Sequence, residues 1–165
     1  MPRDGLIMTQ GGTLCLDLSS TVGWCYAATE TALPFTGFWQ LPRLGGEGAR
    51  YAGFDEKLAD IFERWQPTRL FLEAPIPLPA LNNFRATAQQ FGLRALAFAE
   101  AHRSSCSVDE VDVLTVRRAV LGSSSMSSDV AKKAVVKACR DRGIMVANHH
   151  AGDATMLWLW HKRGG

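Results

Sequence analysis

Two apolar stretches of strand length, TLCLDL at 13–18 and TRLFLEAP at 68–75, each carry a single carboxylate, Asp17 and Glu73. A strand that runs through a protein core offers no water to an ionised side chain, and an unpaired buried carboxylate is costly. Any fold open to this chain must therefore supply each acid with a partner, either an Arg or Lys or a divalent cation. Asp17 is the sharper case. It lies between Leu16 and Leu18 and is followed by Ser19, Ser20 and Thr21, then Gly23 and Trp24.

The rest of the pattern places these two runs in an α/β order. GWCYAA and PFTGFWQL read as two further strands, close enough to the first to form an antiparallel meander. Tyr51, Phe54, Leu58, Ile61, Phe62 and Trp65 recur at helical spacing, and Pro67 ends that helix. After the 68–75 strand, a proline-rich loop leads into a long helix from about Asn83 to His102. SVDEVDVLTV reads as a strand and a helix start, and RRAVLGSSSMSS as a polar loop. Ser127 or Ser128 is placed to cap the helix DVAKKAVVKACRDR, with Gly143 as its left-handed stop. IMVAN is a short extended piece, and HHAGDATMLWLWHKR reads as a terminal helix. The expected fold is a mixed five-stranded sheet, three antiparallel strands and then parallel ones, flanked by helices.

At 165 residues, 47% apolar and 21% charged, the chain is expected to form one domain spanning 1–165. No apolar run reaches the roughly 18 residues that a membrane helix needs, and MPRDGLIMTQGG lacks the apolar segment of a signal peptide. A cytoplasmic protein without membrane contact is expected. The four cysteines show no C-x-x-C spacing and read as reduced, buried thiols. The net charge of +2 hides an asymmetry: −3 over residues 1–84 and +5 over 85–165. Such a division fits one patch that gathers cations and another that meets a polyanion.

A third acid, Asp153, falls in the first turn expected for the last helix, three residues after His150. By itself it has a sufficient partner in the positive helix N-terminus. His150 and Asp153, however, share a helix face and can reach one ion, whereas His149 points elsewhere and reads as a surface residue. Three acids at element ends with one histidine suit oxygen-rich Mg²⁺ or Mn²⁺ coordination.

With these residues the chain resembles the RuvC family of Holliday junction resolvases, which have the RNase H-like fold. LDLSSTVGW is similar to the family's first-strand motif, and LFLEAP to the strand that ends in the second acid. TVRRAVLGSSSMSSDVAKKAVV resembles its basic, Gly-containing segment, and HHAGDA its last motif, with His or Asp three residues before the final Asp. The four pieces come in the family's order over residues 13–160.

The resemblance implies Asp17, Glu73, His150 and Asp153 as a catalytic, metal-binding set with two Mg²⁺ or Mn²⁺ ions per site. Asp17 would bridge both ions, Glu73 would serve one, and His150 with Asp153 the other. Hydrolysis by water would leave 5′-phosphate and 3′-hydroxyl ends, with no small-molecule cofactor. It also implies a homodimer acting on opposite strands of a four-way or otherwise branched DNA. Arg117, Arg118, Lys132 and Lys133, with Arg85, are the candidate phosphate contacts. Lys137 and Arg140 follow on the same helix, so part of that run is a solvated face. Dimerisation falls to the 83–102 helix, whose Phe91, Leu93, Leu96 and Phe98 exceed one face; the same surface would also serve as sheet-facing core.

The sequence departs from the family pattern in the proline-rich loop after Glu73, where members carry an aromatic wedge; Ile76 or Phe84 is the available substitute. Gly152 stands where Ala is usual, and Trp24 and Trp39 are additional aromatics, read as core packing. Competing readings are a general branched-nucleic-acid nuclease of the same fold and an inactive junction-binding scaffold. An ATP-binding relative of actin or the sugar kinases needs two such domains, which 165 residues cannot hold.

Overall fold

The computed structural model describes residues 11–75 and 84–165. Among the described residues five strands form one sheet: β1 (Thr13–Asp17), β2 (Thr21–Ala27), β3 (Phe35–Gln40), β4 (Arg69–Glu73) and β5 (Ser107–Val111). Their spatial order is β3-β2-β1-β4-β5. β3, β2 and β1 pair antiparallel, while β1, β4 and β5 pair parallel. The helices are α1 (Gly46–Trp65), α2 (Phe84–Arg103), α3 (Val113–Leu121), α4 (Ser128–Arg140) and α5 (His149–His161). This is the mixed sheet expected from the sequence, and IMVAN forms no strand in it.

The strand period of two divides the core into two layers. Leu14 and Leu16 of β1 and Leu70 and Leu72 of β4 face α1 and α2, all with no exposed surface. Each contributes roughly 1.5–3 kcal/mol on burial. Cys15 and Phe71 face the other way, toward α3, α4 and α5. Asp17 and Glu73, two residues beyond Cys15 and Phe71, share that second face. Both follow directly on the Leu16–Leu72 pair of the parallel ladder, so they are neighbours across two strands.

Trp24, Trp39 and Trp65 pack together over the α1 side, and Tyr26 stacks on Trp65 at a centroid distance of 4.5 Å. The tryptophans thus serve core packing, as expected. All four cysteines are buried and unpaired, and burial pushes their thiols upward, Cys106 and Cys139 to about 11.

Three local expectations need correction. Residues 117–121 are helical, not loop: Asp112 caps α3 by accepting from the Thr115 N–H, Val116 and Val120 are buried one turn apart, and Gly122 ends it at φ 79°. Ser127 occupies the N-cap position of α4, but its hydroxyl makes no capping bond, and Ser128 is already helical. Asp153 is the fifth residue of α5, beyond the first turn, because Asn148 caps the helix one residue before His149. Gly143, at φ 72°, does take the left-handed conformation after α4. No described helix is long and apolar enough to cross a membrane.

Candidate active site

Glycine at position 23 sets the distance between α5 and the sheet. A Cβ there would stand 1.9 Å from the His150 carbonyl oxygen, so only glycine lets the start of α5 rest on β2. Gly23 is also the strand partner of Asp17. His150 is thereby delivered to the end of β1, where its Nδ1 lies 2.8 Å from Asp17 Oδ2. An ionised carboxylate only accepts, so the hydrogen of this bond is on Nδ1. Ser19 Oγ donates to the Thr21 carbonyl at 2.6 Å and lies 3.4 Å from the same Nδ1. A nucleophilic relay needs serine and aspartate on opposite ring nitrogens. Here both approach one nitrogen, and the constellation is no serine-hydrolase triad.

Asp153 stands one turn along α5 from His150, and Gly152 beside it lets α5 close on α4. A Cβ at Gly152 would come within 2.6 Å of Val135 Cγ1, which explains a glycine where the family pattern has alanine. Glu73, Asp153 and Arg117 line one small cavity whose remaining walls include Val113, Val116 and Met156. Burial pushes the Glu73 carboxyl up to about 8, with the Asp17 and Asp153 carboxylates adding to the shift and Arg117 opposing it. Burial likewise raises Asp153 to about 6, assisted by Asp17 and opposed by Arg117, His150 and Lys132. The three acids therefore feel one another across the space beneath α5, and Glu73 and Asp153 would release their protons more readily beside a cation.

The donor set, three carboxylates and an imidazole, suits a hard divalent cation. Among the described residues, no group of three or more His, Cys, Asp or Glu side chains is closed around one point. In this arrangement Asp17 and His150 satisfy each other, and Nε2 is the ring nitrogen left to meet an ion.

The candidate phosphate contacts divide. Arg117 is partly buried inside the carboxylate site, and its Nε is buried without a hydrogen-bond partner. Arg118 is exposed on α3. Lys132 and Lys133 are exposed on α4 and line a groove with Lys137, Arg140, Asn148 and His149. Arg85 is exposed at the start of α2, on the opposite face of the sheet from α5. His149 is no bare surface residue, as its half-buried ring lies 4.1 Å from that of His150. Sequence patterns do not single out Ser19 or Asp112. Ser19 is one of three adjacent hydroxyl residues, and only the position of His150 distinguishes it. Ile76 lies outside the described residues, and Phe84 is exposed on α2.

No protein-family model matches the sequence, and no curated protein matches it. Solved structures do. Thermus thermophilus RuvC superposes with a TM-score of 0.67 at 13% identity, over 90% of this chain and 92% of its own. The same protein in complex with a Holliday junction substrate gives 0.72 at 12%, over 94% and 97%. The yeast mitochondrial Holliday junction resolvase Ydc2 gives 0.59 at 12%, over 97% and 81%. At such identities the likeness speaks for architecture, and the chain has the RNase H-like fold of the RuvC type.

Proposed function

We propose that this chain is a divalent-cation-dependent, structure-selective endodeoxyribonuclease that resolves four-way DNA junctions by paired nicks. The observation that supports it most is the meeting of Asp17, Glu73, His150 and Asp153, from three separate elements, at one end of the sheet. The fold is one that T. thermophilus RuvC presents to a Holliday junction substrate.

In this reading Asp17, Glu73, His150 and Asp153 hold Mg²⁺ or Mn²⁺, two ions per site. Such ions, when bound, make water a nucleophile near neutral pH and stabilise the leaving oxygen of a phosphodiester. The chain's own groups prepare the place. Asp17 is fixed by a core strand on one side and by the His150 bond on the other, so its carboxylate has little freedom to turn. In the cation-free protein Glu73 is held protonated up to about pH 8 and Asp153 up to about pH 6, and a bound cation would favour the ionised form of both. Arg117 supplies a fixed positive charge beside them. Lys132 and Lys133, with Arg118, face solvent where a phosphate backbone can reach them.

Two nicks on opposite strands ask for two sites, and α2 presents a surface for a second copy. Phe84 and Phe91 are 85% and 41% exposed, seven residues apart, and Phe98 lies seven further on. Ala88 and Ala95 complete a four-three spacing, the spacing of helix pairs that pack side by side. Leu93, in contrast, is wholly buried, and Leu96 and Phe98 lean on the core, so the apolar excess of α2 serves both uses.

The mutual satisfaction of Asp17 and His150 favours one other reading, an inactive junction-binding scaffold. Cleavage of an end-labelled four-way junction, a linear duplex and a Y-fork with Mg²⁺, Mn²⁺ or chelator separates them. Symmetrical, metal-dependent nicking of the junction alone is expected. Equal cutting of the fork would indicate a general branched-DNA nuclease. Binding without cutting under either metal would indicate the scaffold.

A further inference from the structure

Phe38 is 43% exposed on β3, an edge strand of the sheet. A single exposed aromatic calls for no explanation in itself. This one occupies a particular row. Asp17 pairs with Gly23, and Gly23 pairs with Phe38. Residues directly opposite in neighbouring strands point to the same face, so Phe38 projects on the face that carries Asp17. Two strand spacings separate them, about 10 Å.

The start of α5 fills the space between. The Thr36 hydroxyl, two residues before Phe38, donates to the Met145 carbonyl at 2.6 Å, which ties the chain just before α5 to β3. The His150 carbonyl then sits over Gly23, the strand partner of Phe38. Asn148 and His149, which immediately precede His150, line a groove together with Lys132, Lys133, Lys137 and Arg140. Lys137 is held by Asp141 at 2.5 Å, which leaves Lys132, Lys133 and Arg140 as the freer charges. The cationic groove and the strand row that carries the exposed Phe38 ring and Asp17 thus both adjoin the 145–150 segment. Backbone-tracking cations beside a stacking aromatic is the chemistry by which proteins hold single-stranded nucleic acid.

We propose that Phe38 stacks on an unpaired base next to the bond that is cut, and that Lys132, Lys133, Arg140 and His149 guide the backbone of that strand to it. The proposal rests on the nuclease reading and specifies the strand it acts on: one already parted from its partner at the branch.

The test uses the full chain and a Y-fork carrying 2-aminopurine at the unpaired nucleotide beside the branch, in chelator to prevent cutting. Wild type should quench the probe. Phe38→Ala and Phe38→Leu should abolish the quenching and weaken fork binding by about 5- to 100-fold, while Phe38→Trp keeps both. Leu preserves the apolar bulk, so the same defect in both variants at unchanged melting temperature identifies stacking and not folding. Linear duplex binding and the salt slope should be unaffected by these changes. Lys132→Ala should instead lower the salt slope by about 0.7, the share of one phosphate that is no longer neutralised. Unaltered quenching and affinity in Phe38→Ala, in a protein that cuts junctions, would overturn the stacking role alone. A wild-type chain that neither binds the fork nor cuts a junction would overturn the nuclease reading with it.

Discussion

His150 Nδ1 and Asp17 Oδ2 stand 2.8 Å apart, joining residues separated by 133 positions in the chain. The contact ties the first turn of α5 to the end of β1. It exists because Gly23 lets the helix backbone descend onto the sheet between them.

Asp17→Asn keeps the volume and the strand but removes the charge. Cleavage of a four-way junction should fall by at least about 100-fold, with the melting temperature changed little and junction binding retained. Wild-type cutting by this variant would falsify the assignment of the site.

The raised carboxyls give a pH dependence of defined sign. Glu73 at about 8 and Asp153 at about 6 lie above their unfolded values of 4.5 and 3.8, so the folded state binds more protons between those limits. Stability of the cation-free protein is then fully present below about pH 4 as far as these groups are concerned. It declines as pH rises through 6 to 8, by an amount on the order of a few kcal/mol. Melting in chelator at pH 5, 6, 7 and 8 should show the fall. Glu73→Gln should flatten it, and Mg²⁺ or Mn²⁺ should raise the melting temperature most at pH 8. A profile that rises over this range would contradict the buried acid cluster.

Gly152→Ala should cost about 1–3 kcal/mol by driving a methyl group into Val135. In the double variant with Val135→Ala the penalty of the added methyl should shrink, giving a coupling of about 0.5–3 kcal/mol in a denaturation cycle. Strict additivity would mean that α4 and α5 do not meet at this point.

Phe91→Asp places a charge in the middle of the exposed α2 stripe. If α2 pairs with a second copy, sedimentation should show wild type as a dimer and the variant as a monomer of unchanged melting temperature. Paired nicking of a junction should give way to single nicks. A dimer that survives Phe91→Asp would move the interface elsewhere.

Much of this architecture is legible in residue patterns. The alternation in TLCLD and RLFLE places Leu on one face and Asp17 and Glu73 on the other, because side chains in a strand alternate whatever they pack against. The four-residue and three-residue spacings of α1 and α2, and the glycine and proline stops, are likewise local. The extent of α3 is not legible in the polar run 117–128, since its helix depends on a cap from Asp112 and on burying Val116 and Val120 against elements remote in sequence.

The places of Asp17 and Glu73 at strand ends, and the α/β order that carries them, follow from local pattern. Packing alone settles that His150 bonds Asp17 through Nδ1, that Arg117 joins the carboxylates while Arg85 stays on the opposite face, and that Phe38 shares a row with Asp17. The difference is one of range. Periodicity and capping act over a turn or a strand, whereas these relations depend on how closely α5 approaches the sheet. That approach is set by glycines at 23 and 152, whose missing side chains acquire meaning only when another backbone or side chain arrives beside them.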